Sequence, residues 1–467
     1  MADYKMLIDG ALTDSDETIQ VINPATEQLA GVAARGNKQL ADKAVAAANK
    51  AFPAWADTPI ESRADLLKKF ADEIEANADM LAKLLTSEQG KPMAEAEAEV
   101  QYALAYIRYF AELRLEPKLV KDDETCRVEE HYLPLGAVVG IIPWNFPLLV
   151  MAFKLPPALL AGNTIIIKPA PTTPLATLKV FELTKNVFPD GVVAAITDEN
   201  DLGGYLTSHK DIAKVSFTGS TATGQKVMQS AAATLKRLTL ELGGNDPGIV
   251  LPDAEIDDAA EKIFAASFGN CGQVCIALKR AYVHADIYED VCAKLVELAQ
   301  AAIVDDGSKQ GTTIGPLQNK MQFEKVKAFL AQAKKDGIIA AGGEIIDRAG
   351  YFITPTIVRD VEDGTDIVDE EQFGPILPVV KFDDIDKVIK NVNASPYGLG
   401  ASVWSADVEK AQTIAKRVVA GTVWVNQHFS IAPDIPFGGA KNSGIGIEFA
   451  EVGLAEYTQR QIINTAK

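Results

Sequence analysis

The chain is 467 residues long and 48% hydrophobic, which is ample for a large core and points to two or three domains. A formal net charge of −19 argues against a nucleic-acid partner, and no run has transmembrane length, so no membrane partner is expected. The start, Met1-Ala2-Asp3-Tyr4-Lys5, lacks signal-peptide features, and four irregularly spaced cysteines (Cys126, Cys271, Cys275, Cys292) form no disulfide framework, so a cytoplasmic protein is expected. Those cysteines and the histidines at 131, 209, 284 and 428 lack ligand spacing, and no metal is expected.

In chain order, the turn signal Asn23-Pro24-Ala25-Thr26 precedes an alanine-rich helix from about Ala41 to Ala54. A second amphipathic helix is predicted over Arg63–Ala78, with Leu66, Leu67, Phe70 and Ile74 on one face. A long third helix follows Lys91-Pro92, its Tyr102, Tyr106, Ile107 and Phe110 read as core. Leu115 to His131 is charged and aperiodic, an excursion from the first domain. From Gly136 onward, Ala137–Ile142, Thr164–Ile167, Val192–Ile196 and Val215–Thr218 are β-branched runs separated by helical ones, the pattern of a mostly parallel, doubly wound α/β sheet. A second α/β series runs from Gly243-Gly244 to about Ile447, and the tail carries an unpartnered apolar strand at Gln461–Asn464, an edge that another subunit can cover.

Several stretches carry chemistry. In Phe268-Gly269-Asn270-Cys271-Gly272-Gln273-Val274-Cys275-Ile276-Ala277, Cys275 is either a nucleophile, which needs a site favouring its thiolate, or a buried structural thiol. Cys271 could resolve an oxidised Cys275 if the two face each other. Pro143-Trp144-Asn145-Phe146-Pro147 follows a buried strand, where Asn145 is a candidate oxyanion donor or a plain turn residue. Lys168 ends the next strand, suited to a ribose hydroxyl or phosphate, and Thr218-Gly219-Ser220-Thr221-Ala222-Thr223-Gly224 makes a strand-to-helix turn that can present N–H groups to pyrophosphate. No G-x-G-x-x-G fingerprint is present, which disfavours a plain Rossmann dehydrogenase. In Leu240-Glu241-Leu242-Gly243-Gly244, Glu241 sits between leucines, where its pKa should rise as a general base requires; a helix-cap or surface Glu is the alternative. Two further motifs are Glu370-Glu371-Gln372-Phe373-Gly374-Pro375 and Pro436-Phe437-Gly438-Gly439.

Together these segments, in this order and over nearly the whole chain, resemble the aldehyde dehydrogenase superfamily of NAD(P)-dependent, hydrolytic enzymes. The resemblance implies two Rossmann-like α/β domains with a small β oligomerisation element: a cofactor domain of 1–115 and 136–247, a catalytic domain of 248–447, and an element of 116–135 plus 448–467 in a homodimer or homotetramer. It implies that Cys275 is the catalytic thiol, Asn145 the oxyanion donor, Glu241 the general base, and Lys154 with Glu448 a proton-passing pair. Lys168 would contact the adenosine ribose, Trp144 and Ser220 wall the cofactor, and Glu371 with Phe373 clamp the nicotinamide ribose, with Ile142, Pro143, Gly219, Leu242 and Gly243 beside them. Alternatives are a semialdehyde dehydrogenase, a CoA-acylating relative, which the full Glu241 motif disfavours, and a crystallin-like or scaffold use of the fold.

Pro171 stands where many NAD-preferring members have a Glu that repels a 2′-phosphate, so acceptance of both NAD and NADP is expected. Gly269 replaces the arginine that relatives acting on carboxylate-bearing semialdehydes use. By alignment with the family, Phe146, Val150, Phe153, Val274, Ile276, Ile431 and Phe437 flank the aldehyde, all apolar, which favours a neutral aromatic or aliphatic aldehyde. His428 is a residue that could add polarity there.

Overall fold

A computed structural model describes residues 2–467. Its first sheet has eight strands in the order Gly444–Ile445, Arg237–Glu241, Lys214–Thr218, Ala137–Ile141, Thr164–Lys168, Val193–Ala195, Met6–Ile8, Ala11–Thr13. The five strands from Arg237–Glu241 to Val193–Ala195 are mutually parallel. From Ala137–Ile141 the chain winds first to Thr164–Lys168 on one side and later to Lys214–Thr218 on the other, so the strand order reverses there. Open α/β sheets bind ligands at the carboxyl ends beside such a reversal. The second sheet has seven strands, Ile338–Ala341, Thr356–Arg359, Ile376–Phe382, Leu278–His284, Asp246–Val250, Gly400–Trp404 and Thr422–Val425, parallel except at the first pairing. Both series are doubly wound α/β sheets.

The charged excursion is a hairpin, Lys118–Asp122 and Cys126–Pro134, and the terminal strand Thr458–Ala466 pairs antiparallel with its second arm from Thr458↔Pro134 to Ala466↔Cys126. A boundary at 247/248 falls inside the Asp246–Val250 strand; the chain passes between sheets at Gly243-Gly244. A Cβ on Gly244 would sit 2.7 Å from the Cys275 carbonyl oxygen, so that crossing needs glycine. The division is not one-way, because Gly444 and Ile445 return to pair with Glu241 and Leu240.

Helices before residue 91 differ from the expectation of two. Asn77 leaves the helical region (φ −119°, ψ 16°), ending the Ile60–Glu75 run, and a further helix, Ala78–Gln89, stops at Gly90 with φ +95°. On the long helix Met93–Glu112, Tyr106, Ile107 and Phe110 are buried, but Tyr102 is 59% exposed, because it falls outside the stripe that faces the core.

The centre of the first core is the helix Pro147–Leu160, buried along its whole length. Its N-terminal N–H groups cannot reach water, and Glu99 accepts from Leu148 N (2.9 Å) and Leu149 N (3.2 Å) instead. Glu99 also pairs with Lys91 at 2.5 Å, both side chains fully buried. Removing one partner of such a pair leaves an uncompensated charge. Glu99→Ala is therefore expected to lose about 3–5 kcal/mol of unfolding free energy, read by urea titration.

Candidate active site

Side chains from both sheets meet at the carboxyl edge of the first. The Arg237–Glu241 strand ends in the Glu241 carboxyl, the loop after Ala137–Ile141 supplies Ile142, Pro143, Trp144 and Asn145, and Cys275 arrives on the loop before Leu278–His284. That loop is unusual: Asn270 (φ +48°) and Cys271 (φ +58°) are both left-handed, a conformation that asparagine tolerates and most residues do not. Gly272 (φ +71°) follows, and a Cβ there would lie 2.3 Å from the Gly374 carbonyl oxygen. Asn270 holds the loop. It accepts from Gln89 Nε2 (2.9 Å) and Gln273 Nε2 (2.9 Å), and donates through its backbone N–H to Glu95 (3.0 Å) and through Nδ2 to the Asn145 carbonyl (3.1 Å).

Asn145 is buried and fixed at both ends. Its carbonyl accepts from Lys91 Nζ (2.9 Å), and its Nδ2 donates one hydrogen to the Gln273 carbonyl (2.9 Å), leaving the second unspent. The backbone N–H of Cys275 makes no hydrogen bond among the described residues. Two donors thus remain available beside the thiol.

Burial pushes the Cys275 thiol up to about 12; Lys279 opposes this, while Glu241, Asp246 and Glu371 add to it. Cys271 is buried and raised also, and all four cysteines are free. Burial, then the neighbouring Glu448, hold the Glu241 carboxyl well above the ordinary range, with Lys154 opposing. Neither Glu241 oxygen has a hydrogen-bond partner. Behind it, Lys154 Nζ donates to Glu448 Oε1 (2.9 Å) and to Ser216 Oγ (3.0 Å) in full burial.

On the opposite wall, Trp144 and Phe373 pack edge-to-face with centroids 5.4 Å apart. Glu371 accepts from Gly244 N (3.1 Å), and Gly243 is so close that a Cβ would lie 2.7 Å from Glu371 Oε2. At the Thr221–Ala231 helix N-terminus, Ser220 Oγ accepts from Thr223 N (3.3 Å), while Thr221 N and Ala222 N have no acceptor among the described residues. Gly219 lies against Phe217, 2.6 Å from where its Cβ would be. Free helix N–H groups, glycines that admit close backbone approach and an aromatic pair fit a dinucleotide. Lys168 is not free: its Nζ lies 2.5 Å from buried Asp198, while Pro171 offers no polar side chain. Among the described residues no cluster of three or more metal-ligating side chains exists.

Phe146, Val150, Phe153, Val274, Ile276, Ile431 and Phe437 all pack into the same core cluster as Cys275. Phe449 completes the aromatic group, 4.5 Å from Phe153, 4.8 Å from Tyr106 and 5.6 Å from Phe437 between centroids. His428 adds no polarity: its ring is spent on Ser402 Oγ (2.9 Å) and the Ile276 carbonyl (3.0 Å), and burial lowers its pKa to about 3. A Cβ on Gly269 would meet nothing within 4 Å.

The profile of the aldehyde dehydrogenase family matches residues 12–463. The chain belongs to the aldehyde dehydrogenase family. Its activity is the oxidation of an aldehyde to the carboxylic acid. This aldehyde dehydrogenase is 38% identical to a phenylacetaldehyde dehydrogenase of Pseudomonas fluorescens, over 97% of this chain and 94% of that one. It superposes on an aldehyde dehydrogenase from Bacillus cereus in complex with NAD+ with a TM-score of 0.96 at 38% identity, covering 99% of this chain and 96% of that one. A betaine aldehyde dehydrogenase of Staphylococcus aureus, also with NAD+, gives 0.96 at 32% identity over 99% and 95%.

Residues that motif reading missed are Phe449, Asp246, Asp198 and Lys279. Lys279, four residues after the thiol, was open to discovery by asking which cation lies nearest it. Its Nζ donates to the Cys275 carbonyl (2.6 Å) and lies 3.4 Å from Glu371 Oε1. With a thiol near 12, iodoacetamide alkylation of the cofactor-free enzyme should rise about tenfold per pH unit with no plateau below pH ~10, as thiolate fraction dictates. Lys279→Met should slow it further at each pH, measured by mass spectrometry of the Cys275 peptide. A plateau below pH ~8 would contradict this account.

Proposed function

We propose that this enzyme oxidises a neutral aromatic or aliphatic aldehyde through a Cys275 thiohemiacetal and thioester, with NAD(P) as oxidant. The observation that carries the reading is a thiol on whose charge an unpartnered buried carboxyl acts, together with two unspent donors on Asn145 and on the thiol's own backbone. Lys168, Ser220, Trp144, Glu371 and Phe373 would hold the dinucleotide, whose nicotinamide, when bound, supplies the hydride acceptor and a positive ring charge. The NAD+ in the Bacillus and Staphylococcus structures supports that assignment.

As its S–H proton is lost to solvent, Cys275 Sγ bonds to the carbonyl carbon and the C=O π pair moves to oxygen, the developing oxyanion falling to the Asn145 Nδ2 and Cys275 backbone donors; its collapse to the thioester would release the hydride of that carbon to the bound oxidant. Such donors, fixed in advance, are each worth about 10²–10³ in kcat. After oxidation, Glu241 takes a proton from the water that attacks the thioester, and Glu448–Lys154 lies behind it to pass the proton on. Because the Glu241 carboxyl is raised, its basic form grows as pH rises, so the hydrolysis rate climbs with pH toward that raised value.

Cys275→Ala should abolish turnover while retaining dinucleotide binding. Glu241→Gln should keep the burst of NADH formation but flatten and lower the hydrolysis step, and Asn145→Ala should lose about 10²–10³ in kcat. Rapid-mix absorbance at the NADH band reads all three. Full turnover in Cys275→Ala refutes the mechanism, and CoA-dependent turnover would favour the acylating alternative.

The aromatic cluster of Phe153, Phe437, Phe449 and Tyr106 supports an apolar substrate tail, because a charged tail would lose hydration without a partner. kcat/KM should be higher for benzaldehyde and hexanal than for succinic semialdehyde and betaine aldehyde; a clear win for either charged substrate overturns the apolar reading. The cofactor domain is read as 1–115 with 136–243, the catalytic domain as 244–447. We assign Leu119, Val120, Ile462 and Ile463, exposed on the three-stranded sheet, to the contact of a homodimer or homotetramer. No helix among the described residues is long and apolar enough to cross a membrane, and with four unpaired cysteines a cytoplasmic site of action is proposed.

A further inference from the structure

The carboxyl edge of the first sheet holds a carboxylate at a place that no motif marks. Thr164–Lys168 and Val193–Ala195 are adjacent parallel strands, and Lys168 Nζ at the end of one lies 2.5 Å from Asp198 Oδ1 in the loop after the other. Both side chains are buried. Asp198 Oδ2 accepts from Leu202 N at 2.8 Å, whereas the Lys168 approach is off the hydrogen-bond direction and leaves Oδ1 without a hydrogen-bond donor. Here is a buried carboxyl oxygen with unspent acceptor capacity.

Its place along the sheet edge decides what meets it. These two strands stand third and fourth from Arg237–Glu241 in the sheet, hence about 14 and 19 Å from Glu241 at a strand spacing of about 4.8 Å. With the reactive ring at Cys275 and Glu241 and the pyrophosphate at the helix after Ser220, an extended dinucleotide brings its other ribose to this end. The surrounding charge is negative. Arg35 lies 3.3 Å from Glu199 and 3.1 Å from Asp201 and also pairs with Glu17, so that four carboxylates face two cations and neither cation is free.

We propose that Asp198 selects NAD over NADP by accepting the 2′-hydroxyl hydrogen of the adenosine ribose beside Lys168 and repelling a phosphate at the same carbon. The proposal rests on the cofactor reading above. A hydroxyl donates to a carboxylate in a charge-assisted bond, whereas a phosphate carrying nearly two negative charges has no donor to offer and no spare cation to meet. Pro171 by itself leaves the repulsion out of the motif loop; Asp198 supplies it from the neighbouring strand.

The test is equilibrium binding without aldehyde, by quenching of tryptophan fluorescence, for NAD, NADP and 2′-deoxy-NAD with the unmodified protein and Asp198→Asn. Expected are a Kd for NAD about 100-fold below that for NADP, a weaker Kd for 2′-deoxy-NAD than for NAD, and in Asp198→Asn a ratio narrowed at least about tenfold, chiefly by tighter NADP. Equal affinity for NAD and NADP in the unmodified protein overturns the proposal, as does an unchanged ratio in a folded Asp198→Asn. Should that variant not fold, the three ligands on the unmodified protein decide: 2′-deoxy-NAD matching NAD overturns it. Failure of every dinucleotide to bind overturns the cofactor reading and this proposal with it, whereas binding of both without discrimination overturns only the role of Asp198.

Discussion

Asn145 and Cys275 must lie within reach of one carbonyl group, yet they come from the edges of two different sheets. Their relative position depends on a buried polar tie. Asn145 donates to Gln273 and accepts from Lys91 and Asn270, while Gln273 Oε1 accepts from Gln318 N at 2.8 Å. Lys91 is in turn held by Glu99, which also caps the central helix. Every member is without water to fall back on, so loss of one leaves others unsatisfied, and the network acts more as a unit than as separate bonds. The left-handed pair Asn270-Cys271 persists because this network over-determines it.

Beside that tie the protein leaves polar groups unsatisfied. Glu241 has no partner for either oxygen, nor does Asp246, which burial raises to about 7. Native interiors rarely tolerate such groups, and here they gather around one thiol. Burial raises both carboxyl groups, with Lys154 opposing at Glu241 and Lys279 opposing at Asp246 and at the thiol.

The aldehyde end is built differently, from rings. Phe449 takes a left-handed conformation at φ +68° and reaches Phe153, Phe437 and Tyr106, while its neighbour Glu448 bridges back to Phe437 through paired backbone bonds of 2.9 and 2.7 Å. One turn of chain therefore sets both the aromatic pocket and the carboxylate beside Lys154. A change in Phe449 would be felt in both.

Alternating β-branched and helical runs were sufficient to read two doubly wound sheets, because strand and helix periodicity are local properties of the chain. Cys275, Asn145 and Glu241 stood out for a related reason: Glu241 ends a strand, the other two lie on loops beside one, and their glycine or apolar flanks mark burial in the sequence itself. The partners of these residues were not legible. Lys168 reads as an unpaired cation until Asp198, thirty residues on, is folded against it, and Tyr102 reads as core until the helix turns it outward. The raised pKa of the thiol was likewise decided by tertiary structure, since its burial and the repulsion of the carboxylates around it both come from residues distant in the chain. Residue type and spacing determined the chemistry available to this protein; the packing of one sheet edge against the other decided its charge states and its neighbours, because both depend on distances that only the folded chain creates.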